Sequence, residues 1–382
     1  MSEVTTMLML TLDPGSSDTK IVWRLTPFRP ELLMMSPEVV EVARESIDLY
    51  RSRRLASPEP ENEAWIECEG SYYVVGFLAQ KYFNARAITT GLKYELAIVK
   101  VLAAVGAIAF KEGLSEEFEL MLAMPLPFSE WEDRAVFERD VRKALASFSF
   151  GDKPLAVKLK TFVCVPEGGG HAMARAERIG AAFNQMNMMT LMLGYRDISA
   201  VQLNRGVTSG VTESIGFEKM LLMVQNWTSG HNSPERVRQL IETIHRAGKD
   251  IKAKNFSHLG LSKKPERRAE EINRMVEAVK NARTEYWALV ARFLINAIPT
   301  DIDQIIVGGG TADYLKPELE RFLVQNFPQA QVSWSAELEE DVRVSFNLSP
   351  QDKALCARLT DAYGLSAFLR RLVCPVGATS ST

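Results

Sequence analysis

The sequence predicts an α/β protein built as two domains, and three observations carry that expectation. The chain has 382 residues, well beyond the roughly 100–200 of one typical domain. Strand patterns alternate with helical ones along nearly all of it. A strand–turn–strand unit with a polar, small-residue turn occurs near the N-terminus, and a second one echoes it near the middle.

Hydrophobic residues make up 46% and charged residues 24%, the balance of an ordinary globular protein able to bury substantial cores. The formal net charge of −3 supplies no basic field, so direct binding to nucleic acid is disfavoured. The four cysteines, Cys68, Cys164, Cys356 and Cys374, include no CxxC pair; neither a zinc site nor a disulfide scaffold is signalled, and a cytoplasmic location fits best. Ser2 to Thr6 lacks the pattern of a secretion signal, and no run approaches the roughly 18 apolar residues of a membrane span. The apolar stretch Leu96 to Phe110 is interrupted by Lys100 and reads as a buried helix.

Taken in order, Met7 to Asp13 and Thr19 to Leu25 are strands around the turn Pro14-Gly15-Ser16-Ser17. Pro27 to Pro60 is expected to be irregular apart from a helix near Val40 to Leu55. Trp65 to Cys68 and Tyr72 to Val75 form a hairpin around Glu69-Gly70, followed by helix Leu92 to Phe110 and strand Phe118 to Met124. Ser129, with Glu132 three residues on, caps a helix to about Ala146. Strand Ala156 to Val165 then leads through Pro166-Glu167-Gly168-Gly169-Gly170 into helix His171 to Asn184.

Thr190 to Leu193 and Ile198 to Leu203 flank the second polar turn, Gly194-Tyr195-Arg196-Asp197. Helices are expected at Ser214 to Thr228, Ser233 to Ala247, Pro265 to Ala282 and Glu285 to Ile298. Strand Gln304 to Val307 runs into Gly308-Gly309-Gly310, with a helix from Leu315 to Leu323 beyond and a last one near Ser349 to Arg371. The expected division is residues 1–186 and 187–348, with helix 349–371 packing back on the first domain and 372–382 a flexible tail.

The turn after Asp13 places small residues where backbone N–H groups can approach phosphate oxygens, with Lys20 a point charge beyond them and Asp13 suited to the water shell of a magnesium ion. Taken alone, the same residues also suit an ordinary hairpin turn. Gly308-Gly309-Gly310-Thr311 follows an apolar strand and precedes a helix, an arrangement that suits a nucleotide at a helix N-terminus. It lacks the G-x-G-x-x-G spacing of a dinucleotide fingerprint. The four histidines have no metal-ligand spacing. The basic stretch Lys263-Lys264-Pro265-Glu266-Arg267-Arg268 is mixed in sign, as solvated helix starts are.

In that order, these motifs resemble the actin, Hsp70 and sugar-kinase superfamily over nearly the whole chain. Within it the sequence is most similar to ParM-type bacterial actins that segregate plasmids, through Phe162-Val163-Cys164-Val165-Pro166-Glu167-Gly168, Leu193-Gly194-Tyr195-Arg196 and Asp361-Ala362-Tyr363-Gly364-Leu365. The resemblance implies a two-domain actin-like ATPase fold with a nucleotide cleft between the domains. It implies that Asp13, Gly15, Ser16, Ser17 and Lys20 form one phosphate loop and Gly194, Tyr195 and Arg196 the other. Gly308, Gly309, Gly310 and Thr311 would face the nucleoside, and Glu167 would position the attacking water. ATP or GTP with Mg2+ is the implied cofactor. The implied partners are further copies of the chain in a filament and an adaptor linking it to DNA or another cargo.

One departure matters. Where the family's second loop starts with Asp, this chain has Met192, or Thr190 in an alternative register that matches Asp197-Ile198-Ser199. Neither supplies an acid for magnesium-bound water, although Asp197 or Asp18 stands nearby. Slow hydrolysis is the expectation. Two alternatives stay open: a nucleotide-binding filament scaffold with little turnover, and a small-molecule kinase of the same superfold.

Overall fold

The computed structural model describes residues 7–56, 58–86, 93–231 and 233–373. Ser2 to Thr6, Leu92 and the expected tail beyond Val373 lie outside the described residues.

The first strands are β1 (Met7–Asp13), β2 (Thr19–Leu25), β3 (Glu31–Met35), β4 (Val39–Val42), β5 (Trp65–Cys68), β6 (Ser71–Val75), β7 (Glu117–Leu126), β8 (Phe148–Phe150) and β9 (Lys153–Pro166). Among the described residues they form one sheet of order β3-β2-β1-β7-β9-β8-β5-β6-β4. A second sheet, β12-β11-β10-β13-β14, holds β10 (Asn187–Leu193), β11 (Ile198–Asn204), β12 (Val207–Glu213), β13 (Gln304–Gly308) and β14 (Gln331–Ser333). The order β3-β2-β1-β7-β9 in the first sheet is repeated by the second. In each, an antiparallel hairpin pairs its first strand in parallel with a strand from much later in the chain.

The helices of the first half are α1 (Arg44–Ser52), α2 (Phe77–Tyr82), α3 (Lys93–Lys111), α4 (Phe128–Trp131), α5 (Arg134–Ala146) and α6 (Gly169–Ile179). Those that follow are α7 (Phe217–Trp227), α8 (Pro234–Ala247), α9 (Ala253–Phe256), α10 (Pro265–Ala297) and α11 (Gly310–Tyr314). α12 (Lys316–Asn326), α13 (Ala336–Ser345) and α14 (Lys353–Val373) complete the set. Among the described residues no helix is long and apolar enough to cross a membrane.

Several sequence expectations need correction. Residues 265–297 form one 33-residue helix, α10, where two were expected, because Asn281 to Thr284 contains no glycine or proline to break it. The Pro27 to Pro60 region contributes β3 and β4 to the first sheet, and its helix starts only at Arg44. The helix expected from Ser129 divides into α4 and α5, and Ser129 caps neither. α6 ends at Ile179, where Gly180 takes a positive φ and the chain tightens into 3-10 geometry. The exposed edge strand β12 follows the second hairpin directly and extends it into a meander.

Alternation explains why β1 is central. Leu8, Leu10 and Leu12 point into the cluster built with α3, while Met9 points to the opposite face, against Leu365 and Leu369 of α14. α14 therefore covers one face of the first sheet. It crosses α6 at very close range: a Cβ on Gly170 would fall 1.9 Å from the Asp361 carbonyl oxygen, and one on Gly364 would fall 2.5 Å from that of Gly170. Buried His171 bridges the crossing. The Thr360 hydroxyl donates to the Ala357 carbonyl and so accepts from Nε2–H of His171, which leaves Nδ1 to accept from Ser335, 2.8 Å away.

In the second core, α10 buries Arg283. Its guanidinium donates to the carbonyls of Gly248 and Tyr314 and to Glu318 Oε2, and lies 4.2 Å over the Tyr314 ring. A buried charge with this many partners fixes the rotation of α10 against α12.

Replacing a helical glycine with alanine ordinarily stabilises, by up to about 1 kcal/mol. Here the missing Cβ is what permits the crossing, so Gly170→Ala should destabilise by about 1–3 kcal/mol, and a urea midpoint at or above that of the wild type would contradict the packing described. Burial lowers the His171 pKa from its ordinary 6.5 to about 4. The folded protein therefore holds it neutral; that stabilisation is complete above about 6.5 and is lost as pH falls towards 4. Between pH 7 and pH 4.5 the wild type should lose more stability, or gain less, than His171→Gln in denaturation; His245, also lowered to about 4, and His231, lowered too, act in the same direction, and Asp361, raised to about 7, in the opposite one.

Candidate functional site

The two hairpins share one register. Asp13 of β1 faces Lys20 of β2, and Met192 of β10 faces Ser199 of β11; the same number of residues separates the partners in each. The register thus makes Met192 the counterpart of Asp13, and Ser199 that of Lys20. Thr190 lies two residues deeper and is buried under Gly168, leaving no room there for a Cβ. In the first hairpin Asp13 and Lys20 form a close ion pair. Gly15 permits the tight turn, since a Cβ would fall 2.7 Å from the Asp18 carbonyl oxygen. Beneath the turn, buried Lys100 of α3 places its ammonium 3.4 Å from the Pro14 carbonyl and 3.5 Å from that of Gly15.

The second turn is braced by the start of α7. Gly194 N–H donates to the Asp197 carbonyl, and the amides of Gly216, Phe217 and Glu218 donate to Arg196, Gly194 and Tyr195. Asp197 is buried and accepts from Ser214 Oγ at 2.8 Å, with Arg196 alongside. Its carboxylate is committed to this turn. Burial also pushes the Tyr195 hydroxyl well above its ordinary range.

Between the hairpins, β9 ends at Pro166 and delivers Glu167. The Glu167 amide donates to the Leu126 carbonyl at the end of β7, and its carboxylate accepts from Ser199 Oγ at 2.9 Å. Gly168 adopts a left-handed conformation, φ 90°, to open α6. The N–H groups of Gly168, Gly170 and His171 converge on the carboxylate of Asp361 from α14, at 2.9, 2.8 and 3.3 Å. Burial raises that carboxyl to about 7, opposed by the Gly168 and His171 amides and assisted by nearby Asp13 and Glu167.

The glycine run after β13 makes the third wall. Gly309 has φ 95°, and a Cβ there would strike the Leu193 carbonyl oxygen at 2.3 Å. Thr311 Oγ1 donates to the Gly194 carbonyl at 2.7 Å, tying α11 to the second turn. Arg358 of α14 spans from beside Gly310 to the first turn, where it donates to Ser17 Oγ at 3.1 Å and pairs with Asp18.

These walls enclose a cleft of about 870 Å³. Asp13, Gly15, Ser16, Ser17, Lys20, Glu167, Gly194, Tyr195, Arg196, Gly309, Gly310 and Thr311 all line it. Gly308 stands behind that wall, against His171 and Met192. Among the described residues no group of three or more His, Cys, Asp or Glu side chains could hold a metal ion. Sequence reasoning missed Ser199, Arg358 and Asp361 as parts of this site. Arg358 and Asp361 stand three residues apart and are the only charged residues between Ala354 and Leu369, a pattern that could have marked that face as turned toward polar partners. The mouth carries another polar bridge: buried Glu38 accepts from Gln80, which accepts from Arg238 of α8 at 3.3 Å.

No protein-family model and no curated protein matches the sequence. Solved structures match over its length. The crystal structure of the actin-like protein Alp7A is similar over 97% of this chain and 97% of its own, with a TM-score of 0.62 at 15% identity. A 15-stranded ParM filament from Clostridium botulinum matches over 96% of this chain and 100% of its own, with a TM-score of 0.58 at 10% identity. An Alp12 filament structure gives 0.54 at 15% identity, over 97% and 100%. The chain therefore has the actin-like fold of the ParM and Alp filament proteins.

Proposed function

We propose that the chain binds ATP or GTP with Mg2+ in this cleft and assembles with copies of itself into cytoplasmic filaments. On this reading the chain divides into a domain of residues 1–186 with α14 against it and a second of residues 187–348, a division that the repeated strand order supports. The observation that carries the reading is the meeting of two hairpins of identical register, with Glu167 between them and the Gly309 to Thr311 turn beside them, around one cavity. The residues present fit such a cofactor. Gly15 and Gly309 keep the walls free of Cβ atoms, and Ser16, Ser17, Lys20 and backbone amides offer donors to phosphate oxygens. Asp13 offers the carboxylate for magnesium-bound water. A bound nucleotide supplies the phosphoanhydride and the ion supplies charge neutralisation. Glu167 orients the attacking water and accepts its proton, while Lys20 and the first-turn amides stabilise charge on the transferred group. The fold neighbours include filament structures of ParM and Alp12, which supports self-assembly here, with an adaptor joining the filament to DNA or other cargo.

A specific observation favours a second reading, a filament scaffold with little turnover: Met192 occupies the position that mirrors Asp13, and a thioether accepts no useful hydrogen bond from metal-bound water.

Calorimetry with Asp13→Ala should show magnesium-dependent nucleotide affinity weakened at least about tenfold, or about 1.4 kcal/mol; unchanged affinity removes Asp13 from the site. Purified protein with nucleotide and magnesium should scatter light and pellet above a critical concentration, and a flat response at every concentration and with either nucleotide would end the filament reading. Met192→Asp should raise phosphate release, by up to about a hundredfold if the restored acceptor acts mainly in the transition state. If it does not, while nucleotide still binds, the thioether is not what limits turnover.

A further inference from the structure

Ser199 is fully buried in β11, where the register makes it the counterpart of Lys20. Its Oγ lies 2.9 Å from Glu167 Oε2 and 3.0 Å from Thr212 Oγ1 of β12. A carboxylate oxygen only accepts, so the one proton of Ser199 points to Glu167. The proton between Ser199 and Thr212 must then come from Thr212. Thr212 Oγ1 in turn accepts from the Phe128 N–H at 3.1 Å. Every proton in the chain is thereby assigned, and its direction runs from Phe128 through Thr212 and Ser199 to Glu167. Phe128 and Glu167 follow the adjacent ends of β7 and β9 in the first sheet, whereas Thr212 and Ser199 belong to the second. Close packing holds the second sheet there, since a Cβ on Gly210 would meet the Phe128 ring at 2.9 Å.

We propose that Ser199 and Thr212 are positioning residues for Glu167: by holding Oε2 from the second sheet they fix the carboxylate plane, and so set where Oε1 points toward the attacking water. Hydrolysis then depends on the two sheets standing in the correct relation, because the donors and the acceptor come from opposite sides of the cleft. This inference rests on the reading of Glu167 as the residue that orients water.

Three variants of the full chain test it: Ser199→Ala, Thr212→Val, which keeps the side-chain shape and removes the hydroxyl, and Thr212→Ser, which keeps the hydroxyl. Infrared spectra of protein labelled with 13C-glutamate identify the Glu167 carboxylate band as the one missing in Glu167→Gln. That band should shift in Ser199→Ala and Thr212→Val and return in Thr212→Ser. With ATP or GTP and Mg2+, kcat should fall about tenfold in Ser199→Ala with KM within about threefold, and by less in Thr212→Val. Thr212→Ser should stay near the wild type. An unmoved band in Ser199→Ala, or Thr212→Ser as impaired as Thr212→Val, overturns the proposal. If the wild type releases no phosphate, the hydrolytic reading of the cleft fails by itself, and the band still decides whether these hydroxyls hold Glu167.

Discussion

The carboxylate of Asp361 is the constraint on which the site depends. It gathers three N–H groups that would otherwise stand unpaired at the buried start of α6, and it does so from the helix that covers the other face of the first sheet. The turn carrying Glu167 is therefore anchored from behind, by α14. That helix also sends Arg358 to the first hairpin turn. Two walls of the cleft are referenced to one rod, and the glycines at the α6–α14 crossing set how near the rod can come.

The repeated strand order gives the cleft its chemistry and also its asymmetry. The first hairpin ends in a carboxylate paired with an ammonium, whereas the second ends in a thioether facing a hydroxyl. Geometry is shared while polarity is not. The second hairpin braces its turn with the N-terminal amides of α7 and commits Asp197 to Ser214 and Arg196. Asp197 is thus occupied structurally, which removes it as an easy substitute for the acid absent at Met192.

Much of this was legible from local chemistry. The hairpin strands alternate cleanly, their turns consist of residues that tolerate tight backbone, and Pro166 and the glycines after Glu167 mark a sharp strand-to-helix passage. What escaped notice depends on tertiary context. β3 and β4 are short strands in a proline-rich setting, and β4 finds its partner only in β6, about 30 residues further on, although β3 hairpins directly onto β2. α10 was expected as two helices parted at Asn281 to Thr284, a mostly polar stretch, although no glycine or proline there breaks its backbone. The contact between Ser199 and Glu167 exists only because two sheets meet, and no periodicity in either segment encodes it. The two candidate positions for the missing acid, Met192 and Thr190, became distinguishable once pairing with β11 and β13 fixed the strand.

The unbroken course of α10 makes it a lever. Arg283 clamps its middle to the carbonyl of Tyr314, at the end of the short helix that begins at the glycine wall of the cleft. From that clamp to Pro265 the helix extends about 27 Å, at about 1.5 Å per residue. A tilt of about five degrees at the clamp, such as a small shift of the glycine wall would cause, moves the far end by about 2 Å, because a continuous hydrogen-bonded cylinder has no joint in which to absorb it. Were the proposed nucleotide to shift that wall by its phosphate, the displacement would reach the far end of α10 enlarged rather than damped.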